Sequence, residues 1–169
     1  MNTHPLQPCA VGIDYKARKL NLAVVRGSRV VYQDEAQLGH DAAVQVGVIA
    51  EVLERVQEYA DHPATIVMET MWTRVGKGMA TAEQIHKTAI RVETMALAAQ
   101  MKVLWVPINT WHKVVLDNGR LRSAEGKERA LWHVEHVMGI KAASDDAADA
   151  ICLAEYGVIT ARVREAAMR

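Results

Sequence analysis

The sequence predicts an α/β domain with a mixed five-stranded sheet, in which three antiparallel strands precede parallel strands and helices cover both faces. Short apolar segments bounded by turn residues alternate with longer segments of helical periodicity. The first three apolar segments follow one another directly, as in a meander, whereas helices separate the later ones. Half of the 169 residues are hydrophobic, so one domain over residues 1–169 can bury a core. Residues 1–8 are polar and contain two prolines, which predicts a flexible N-terminus.

Five segments are predicted to be strands because they are short, apolar and bounded by turn or loop residues. The dipeptide Gly27-Ser28 provides a tight turn between the second and third strands, and Pro107 ends the fifth. The predicted strands are Val11–Asp14, Leu20–Arg26, Val30–Tyr32, Ala64–Glu69 and Val103–Val106.

Five further segments are predicted to be helices, because their apolar residues recur at helical spacing. Ser123 and Ser144 precede two of these segments and are predicted to be N-caps. The predicted helices are Asp41–Tyr59, Thr81–Met101, Asn109–Leu116, Ser123–Met138 and a last one that runs from Ser144 to near Arg169.

The composition excludes several classes of protein. A quarter of the residues are charged, which is not typical of a disordered chain, a collagen or a disulfide miniprotein. No apolar run approaches 18 residues, so no membrane span is expected. The polar N-terminus is unlike a signal peptide, and two cysteines do not make a disulfide framework, so we expect a cytoplasmic protein.

Net charge is zero, but the charges are unevenly distributed. Residues 69–130 carry 10 basic and 6 acidic side chains, whereas the segments on either side are more acidic than basic. The middle of the chain could therefore supply a basic surface for a polyanion. The alternative is that the excess is scattered over a solvated surface.

Four acidic residues stand at positions that suggest a common site. Asp14 and Glu69 each end an apolar strand, at the edge of a sheet where ligands collect. Asp146 and Asp149 are three residues apart at the head of the apolar stripe that the last helix packs on the sheet. Half-buried carboxylates need compensation, and no basic partner is obvious in these segments. A divalent cation, Mg²⁺ or Mn²⁺, is the expected compensation.

Each acid also has an ordinary interpretation. Asp146 could complement the dipole of the last helix. Glu69 could pair with Arg74 or Lys77, and Asp14 could pair with Lys16. The combination of all four favours the metal site. If their charges repel one another without metal, Asp146→Asn alone should raise the melting temperature of the metal-free protein.

The sequence resembles the RuvC-type Holliday junction resolvases of the RNase H-like superfamily, from about Cys9 to Thr160. The resemblance suggests a divergent viral member, which would act in the host cytoplasm. Its motifs are GID (Gly12–Asp14), Glu69 with Trp72, Pro107 with Lys113, SAEGK (Ser123–Lys127) and DAADAICLA (Asp146–Ala154).

This resemblance implies a Mg²⁺-dependent, structure-selective DNA endonuclease that resolves Holliday junctions by paired symmetric nicks. The four acids would hold two Mg²⁺ ions, for which Mn²⁺ can substitute, and the products would carry a 5′ phosphate and a 3′ hydroxyl. It also implies a set of residues that contact branched DNA by charge or by stacking. This set is Trp72, Arg74, Lys113, Arg120, Arg122 and Lys127.

A four-way junction has near two-fold symmetry, so a homodimer would supply two matched sites. The resemblance places the dimer interface on the helix Thr81–Met101, through the small and apolar residues Ala82, Ile85, Ala89, Met95 and Ala98. The alternative is that this stripe packs only on its own sheet.

Two other functions remain open. One is another RNase H-like nuclease, acting on other branched DNA, on RNA-processing intermediates or as a transposase-like domain. The other is a non-catalytic module that binds branched DNA, although four mutually repelling carboxylates have no use in such a module.

Overall fold

A five-stranded sheet and five helices make up the computed structural model, which describes residues 7–61, 64–70 and 78–168. The strands are β1 (Cys9–Tyr15), β2 (Lys19–Arg26), β3 (Arg29–Gln37), β4 (Thr65–Glu69) and β5 (Lys102–Val106). The helices are α1 (Ala42–Tyr59), α2 (Met79–Ala98), α3 (Ile108–Val115), α4 (Ser123–His136) and α5 (Asp145–Ala167). Most of the predicted N-terminal segment, residues 1–6, lies outside the described residues.

The sheet has the strand order β3-β2-β1-β4-β5. Strands β1, β2 and β3 are antiparallel neighbours, and β4 and β5 run parallel to β1. The predicted mixed sheet is therefore confirmed. Strand β3 extends past its predicted end at Tyr32 to Gln37, because it is an edge strand in which Gln33, Glu35 and Gln37 can be exposed at alternate positions.

Helices cover both faces of the sheet, as predicted. The side chains of β1 alternate, so Val11 and Ile13 face α1 and α2 on one side. Ala10 faces α3, α4 and α5 on the other side. Asp14 is four residues beyond Ala10 and therefore points to the side of α5.

Helix α5 lies directly on β1 because both contribute small residues at the contact. A Cβ atom at Gly12 would lie 1.9 Å from the backbone oxygen of Ala150 and 2.5 Å from the backbone nitrogen of Ala154. One at Gly157 would lie 2.6 Å from the Cβ of Ala10. This close approach holds the first turns of α5 at the end of β1 that carries Asp14.

The two predicted N-caps have different outcomes. Ser144 caps α5, since its hydroxyl oxygen accepts a hydrogen bond from the backbone N–H of Ala147 at 3.1 Å. Ser123 is instead the first residue of α4, so that prediction is wrong. There the carboxylate of Glu125 accepts from the backbone N–H of Arg122 at 2.9 Å, which stabilises the start of α4 without a serine cap.

No helix in the described ranges is long and apolar enough to cross a bilayer.

Candidate metal centre

The four predicted acids lie near one another where the interior strands β1 and β4 end, on the face of the sheet that α5 covers. Asp14 lies near the end of β1, and Glu69 is the last residue of the parallel neighbour β4. Asp146 and Asp149 lie in the first two turns of α5. A single ammonium group, that of Lys16, lies 3.0 Å from Asp14 Oδ2 and 3.4 Å from Asp146 Oδ1. Strands β1 and β4 and helix α5 therefore present these carboxylates to one small region.

Three lysines surround Asp146, and none of them was predicted to contact it. Besides Lys16, the ammonium of Lys19 lies 3.1 Å from Asp146 Oδ2, and that of Lys127 lies 2.9 Å from Asp146 Oδ1. Lys127 also pairs with Asp145. The expectation of acids without basic partners is therefore wrong for Asp14, which pairs with Lys16, and for Asp146. The turn from β1 into β2 and helix α4 bring these lysines to the acids.

These lysines determine the charge state of Asp146. Burial acts to raise its pKa, but hydrogen bonds from Lys127 and Lys19 and the nearby charge of Lys16 hold the pKa well below its ordinary value. Asp146 is therefore an anion with its charge already compensated. Its substitution by Asn would remove attraction rather than repulsion.

Asp149 has the opposite environment. Among the described residues it forms no salt bridge, and burial together with the negative charges of Asp14 and Glu69 raises its pKa to about 8. Lys127 and Lys16 act against this rise from a distance. Asp149 is thus the acid in this region whose charge most needs a cation.

Asp14 and Glu69 have intermediate environments. Burial raises the pKa of Asp14 to about 6, although Lys16 opposes the rise. Burial also raises the pKa of Glu69, and a hydrogen bond from Trp111 opposes it. That bond runs from the Trp111 Nε1–H to Glu69 Oε2 at 3.0 Å, and the Tyr15 hydroxyl donates to the backbone oxygen of Glu69 at 2.7 Å. Both bonds hold Glu69 in position.

Buried polar atoms without a hydrogen bond are concentrated beside Asp14. Within the described ranges they are Asp14 Oδ2 and both amide atoms of Asn21. The ammonium of Lys16 lies close to Asp14 Oδ2 but donates its hydrogen bond to Oδ1 at 3.1 Å. Asn21 is 1% exposed and lies directly opposite Asp14 in the β1–β2 ladder. Unsatisfied polar atoms at one point indicate a place for a polar ligand.

The donor set fits hard divalent cations, because it consists of carboxylate oxygens, one of which is unsatisfied. In the part of the chain that the structure describes, no three acidic, histidine or cysteine side chains already converge as metal ligands. Lys16 and Lys127 lie among the carboxylates and neutralise part of their charge. Metal binding would therefore exchange these ammonium groups for dications.

The predicted DNA-contacting residues lie at several distances from this region. Lys127 is within it, whereas Lys113, Arg120 and Arg122 are exposed on α3 and on the connection from α3 to α4. None of these three forms a salt bridge with the acids in the described residues. Two more members of the set, Trp72 and Arg74, lie outside the described residues.

The sequence did not point to four residues of this region, which are Tyr15, Lys19, Asn21 and Trp111, and it pointed to Lys16 only as an ordinary partner of Asp14. Asn21 had a signal, since it interrupts the apolar run LNLAVV at the position opposite Asp14. Lys16 and Lys19 also had one, because a tight turn directly after a strand-end acid keeps its residues close to that acid. Only the contact of Trp111 with Glu69 had no signal beyond helical spacing.

The stripe predicted to form a dimer interface on α2 faces largely inward. Ala89 is 3% exposed, and Ile85 and Met95 pack against the core of the same subunit. The large apolar side chains that α2 exposes are Ile90 and Leu97, at 46% and 56%.

Comparison with known proteins gives structural neighbours only. No family model matches the chain, and no curated protein matches it in sequence. The RuvC structure of Thermus thermophilus matches with a TM-score of 0.73 at 20% identity, over 92% of this chain and 96% of that chain. The T. thermophilus RuvC in complex with a Holliday junction substrate gives a TM-score of 0.72 at 21% identity, with the same coverage.

A third neighbour is the yeast mitochondrial Holliday junction resolvase Ydc2. It matches with a TM-score of 0.56 at 13% identity, over 96% of this chain and 83% of that chain. The order of antiparallel and parallel strands, the helices on both faces and these matches agree. The chain therefore has the RNase H-like fold of the RuvC-type Holliday junction resolvases.

Proposed function

We propose that this protein is a Mg²⁺-dependent, structure-selective DNA endonuclease that resolves four-way junctions. One observation carries the proposal: four carboxylates from three separate elements lie near one another, where β1 and β4 end in a RuvC-like fold. Asp149, a half-buried carboxyl that forms no salt bridge within the described residues, lies among them. Ionised Asp14, Glu69 and Asp149 disfavour the metal-free fold, because burial raises their pKa values, and metal-dependent chemistry explains why a protein would keep them.

Asp14, Glu69, Asp146 and Asp149 would hold two Mg²⁺ ions. Bound there, the ions supply an activated water and charge stabilisation for phosphodiester hydrolysis. Trp111 and Tyr15 fix the side chain and the backbone of Glu69, so that its carboxylate keeps one orientation.

The lysines have a second use in this proposal. Lys16, Lys19 and Lys127 place three ammonium groups at the acidic cluster. Ammonium groups that neutralise carboxylates in the metal-free protein are well placed to contact the phosphates of a bound strand. Lys127 therefore combines the predicted contact with DNA and a contact with the acids.

The cleavage experiment uses a four-way junction labelled on each strand in turn. With Mg²⁺, the wild type should nick two strands at symmetric positions, and DNA ligase should reseal the nicks because they carry a 5′ phosphate and a 3′ hydroxyl. Asp14→Asn and Asp149→Asn should bind the junction without cutting it.

Asp41→Asn is the matched control for these variants. Asp41 caps α1 and accepts from the backbone N–H groups of Ala43 and Val44, and Asn caps a helix equally well. This variant should cut at the wild-type rate. Cutting by Asp149→Asn at that rate would refute the proposed mechanism, and binding without cutting by the wild type would favour a non-catalytic module.

A substrate panel separates junction resolution from the related nuclease activities. The proposal predicts faster cutting of a mobile four-way junction than of a fork, an RNA–DNA hybrid or a linear transposon end. Preferred cutting of the hybrid or of the linear end would instead assign the protein to RNA processing or to a transposase-like reaction.

We also propose a homodimer, because two symmetric nicks require two sites in matching orientation. The exposed apolar residues Ile90 and Leu97 mark α2 as the surface for the second copy. Light scattering should give twice the mass of the chain. Leu97→Glu should give the monomer, whereas Val163→Glu, at an equally exposed apolar position on α5, should not. A monomeric wild type at micromolar concentration would contradict the dimer.

A further inference from the structure

A basic cleft adjoins the acidic cluster through Lys16 and Lys19. It lies between the turn that joins β1 to β2 and the start of α2, and its volume is about 500 Å³. Lys16, Arg18 and Lys19 line one wall, and Thr81 and Gln84 line the other. This volume is in the range of clefts that hold a small ligand or part of a larger one.

The described residues that line the cleft include three basic side chains and no acidic one, so they give it a positive charge. Lys16 and Lys19 each contact a carboxylate of the metal centre, at 3.0 Å and 3.1 Å. Arg18 is exposed and, among the described residues, its only side-chain partner is His40, at 2.8 Å. Its positive charge therefore has no carboxylate partner in this part of the molecule and is available to an external anion.

The second wall also suits an anion. Helix α2 has 20 residues and begins after Gly78, which provides no side chain to cap the first backbone N–H groups. The backbone N–H of Thr81 already donates to the Gly78 oxygen at 3.0 Å, but the dipole of the helix still favours negative charge at this end. The hydroxyl of Thr81 and the amide of Gln84 add neutral hydrogen-bonding groups.

We propose that this cleft binds the DNA strand next to the scissile phosphate, with Arg18 as the contact to a flanking phosphate. The inference rests on the proposed nuclease function, because it is the metal centre that brings the cut strand to this edge of the sheet. Lys16 and Lys19 connect the two places, since they line the cleft and contact the carboxylates. A strand whose phosphate lies at the carboxylates continues past these lysines into the cleft.

The test measures binding of a labelled four-way junction by fluorescence anisotropy in EDTA, so that nothing is cut. Arg18→Ala should weaken binding about three- to tenfold and reduce the salt slope by about one. Gln84→Glu, which adds a negative charge on the opposite wall, should weaken binding to a similar extent. Arg29→Ala is the control, because Arg29 is an exposed arginine next to the end of β2 that is remote from Arg18. This variant should bind the junction like the wild type.

Single methylphosphonates locate the contact. A neutral linkage at one of the phosphates beside the cut should weaken binding by the wild type, and the same linkage should have no further effect on Arg18→Ala. A linkage effect that is equally large in both proteins would overturn the assignment of Arg18 to that phosphate. Tighter binding of an RNA strand of the same sequence, lost in Arg18→Ala, would assign the cleft to RNA and overturn the proposal for DNA.

Different results would contradict the inference about the cleft and the proposal of a nuclease. If the wild type cuts junctions but Arg18→Ala and Gln84→Glu bind them like the wild type, the cleft inference is wrong and the nuclease proposal stands. If the wild type binds junctions without cutting them, the nuclease proposal fails, while the two variants still decide whether the cleft holds DNA.

Discussion

Asp146 and Asp149 are one turn apart on α5, yet their surroundings differ. Asp146 has three lysines within 3.4 Å, whereas Asp149 has burial and two neighbouring carboxylates. The sequence spacing predicted correctly that both acids share a face of the helix. It could not predict which of them is neutralised, because the lysines come from other elements and reach the acids only in the folded chain.

The raised pKa of Asp149 makes the stability of the metal-free protein depend on pH. Its pKa is about 8 in the folded protein against an ordinary value of 3.8, so between these values the folded state retains a proton that the unfolded state has lost. The free energy of unfolding should therefore fall as pH rises from about 4 to about 8 in EDTA. Asp149→Asn should remove most of this slope and melt above the wild type at pH 8. A lower melting temperature than wild type at pH 8 would contradict this account.

The lysines around Asp146 reverse the effect on stability that the sequence predicted for Asp146→Asn. Asp146→Asn should lower, not raise, the melting temperature of the metal-free protein at pH 7, because it removes the partner of Lys16, Lys19 and Lys127. We expect a loss of about 1–2 kcal/mol, or a few degrees for a domain of this size. The difference from wild type should shrink as pH falls through the depressed pKa of Asp146. A melting temperature above that of the wild type would mean that repulsion among the four carboxylates outweighs the attraction between Asp146 and its lysines.

At the scale of elements, the site depends on how closely α5 approaches β1. The sequence predicted this packing through the stripe that includes Ala150, Ala154 and Gly157, and the structure confirms it. It did not predict the full length of β3, because an edge strand with exposed polar residues has little apolar signal. Buried strands and strongly periodic helices were predictable because burial determines which of their residues are apolar and how those residues are spaced.

Gly12→Ala tests this contact. The added methyl group would meet the backbone of Ala150 and Ala154, so α5 must move away from β1. Thermal unfolding should show a loss of about 1–3 kcal/mol, and the Mg²⁺ concentration needed to stabilise the protein should rise as the acids separate.

Gly47→Ala is the matched control for this substitution. Gly47 is an exposed position within α1 with open space around it, so alanine there should stabilise the helix by about 0.5–1 kcal/mol. If Gly12→Ala unfolds like the wild type while Gly47→Ala behaves as expected, α5 is not held to β1 by the close contact at Gly12.

The whole molecule has zero net charge, yet basic side chains surround a cluster of acids. The resemblance pointed to Lys113 and Lys127, which lie in the basic middle of the sequence. Neither it nor the charge count pointed to Arg18 and Lys19, which belong to an N-terminal segment with more acids than bases. Folding brings these separate segments together. Counting charges along the chain could not reveal this arrangement, since it depends on which strand ends meet.

Binding of branched DNA should therefore depend on salt despite the neutral total. The logarithm of the association constant should fall linearly with the logarithm of salt concentration, and Lys113→Ala should reduce the slope by about one. Lys113 is the suitable variant because it is exposed and forms no salt bridge among the described residues, so its loss leaves the acids unchanged. A flat salt dependence in the wild type would mean that phosphates are not the main contact.

The central claim is that four acids form a metal centre, and a crystal soaked in Mn²⁺ tests it most directly. Anomalous difference maps should show Mn²⁺ bound by Asp14 and Asp149, with the Lys16 ammonium displaced from Asp14. No anomalous peak beside Asp14 at saturating Mn²⁺, with Lys16 still paired to that carboxylate, would contradict the account.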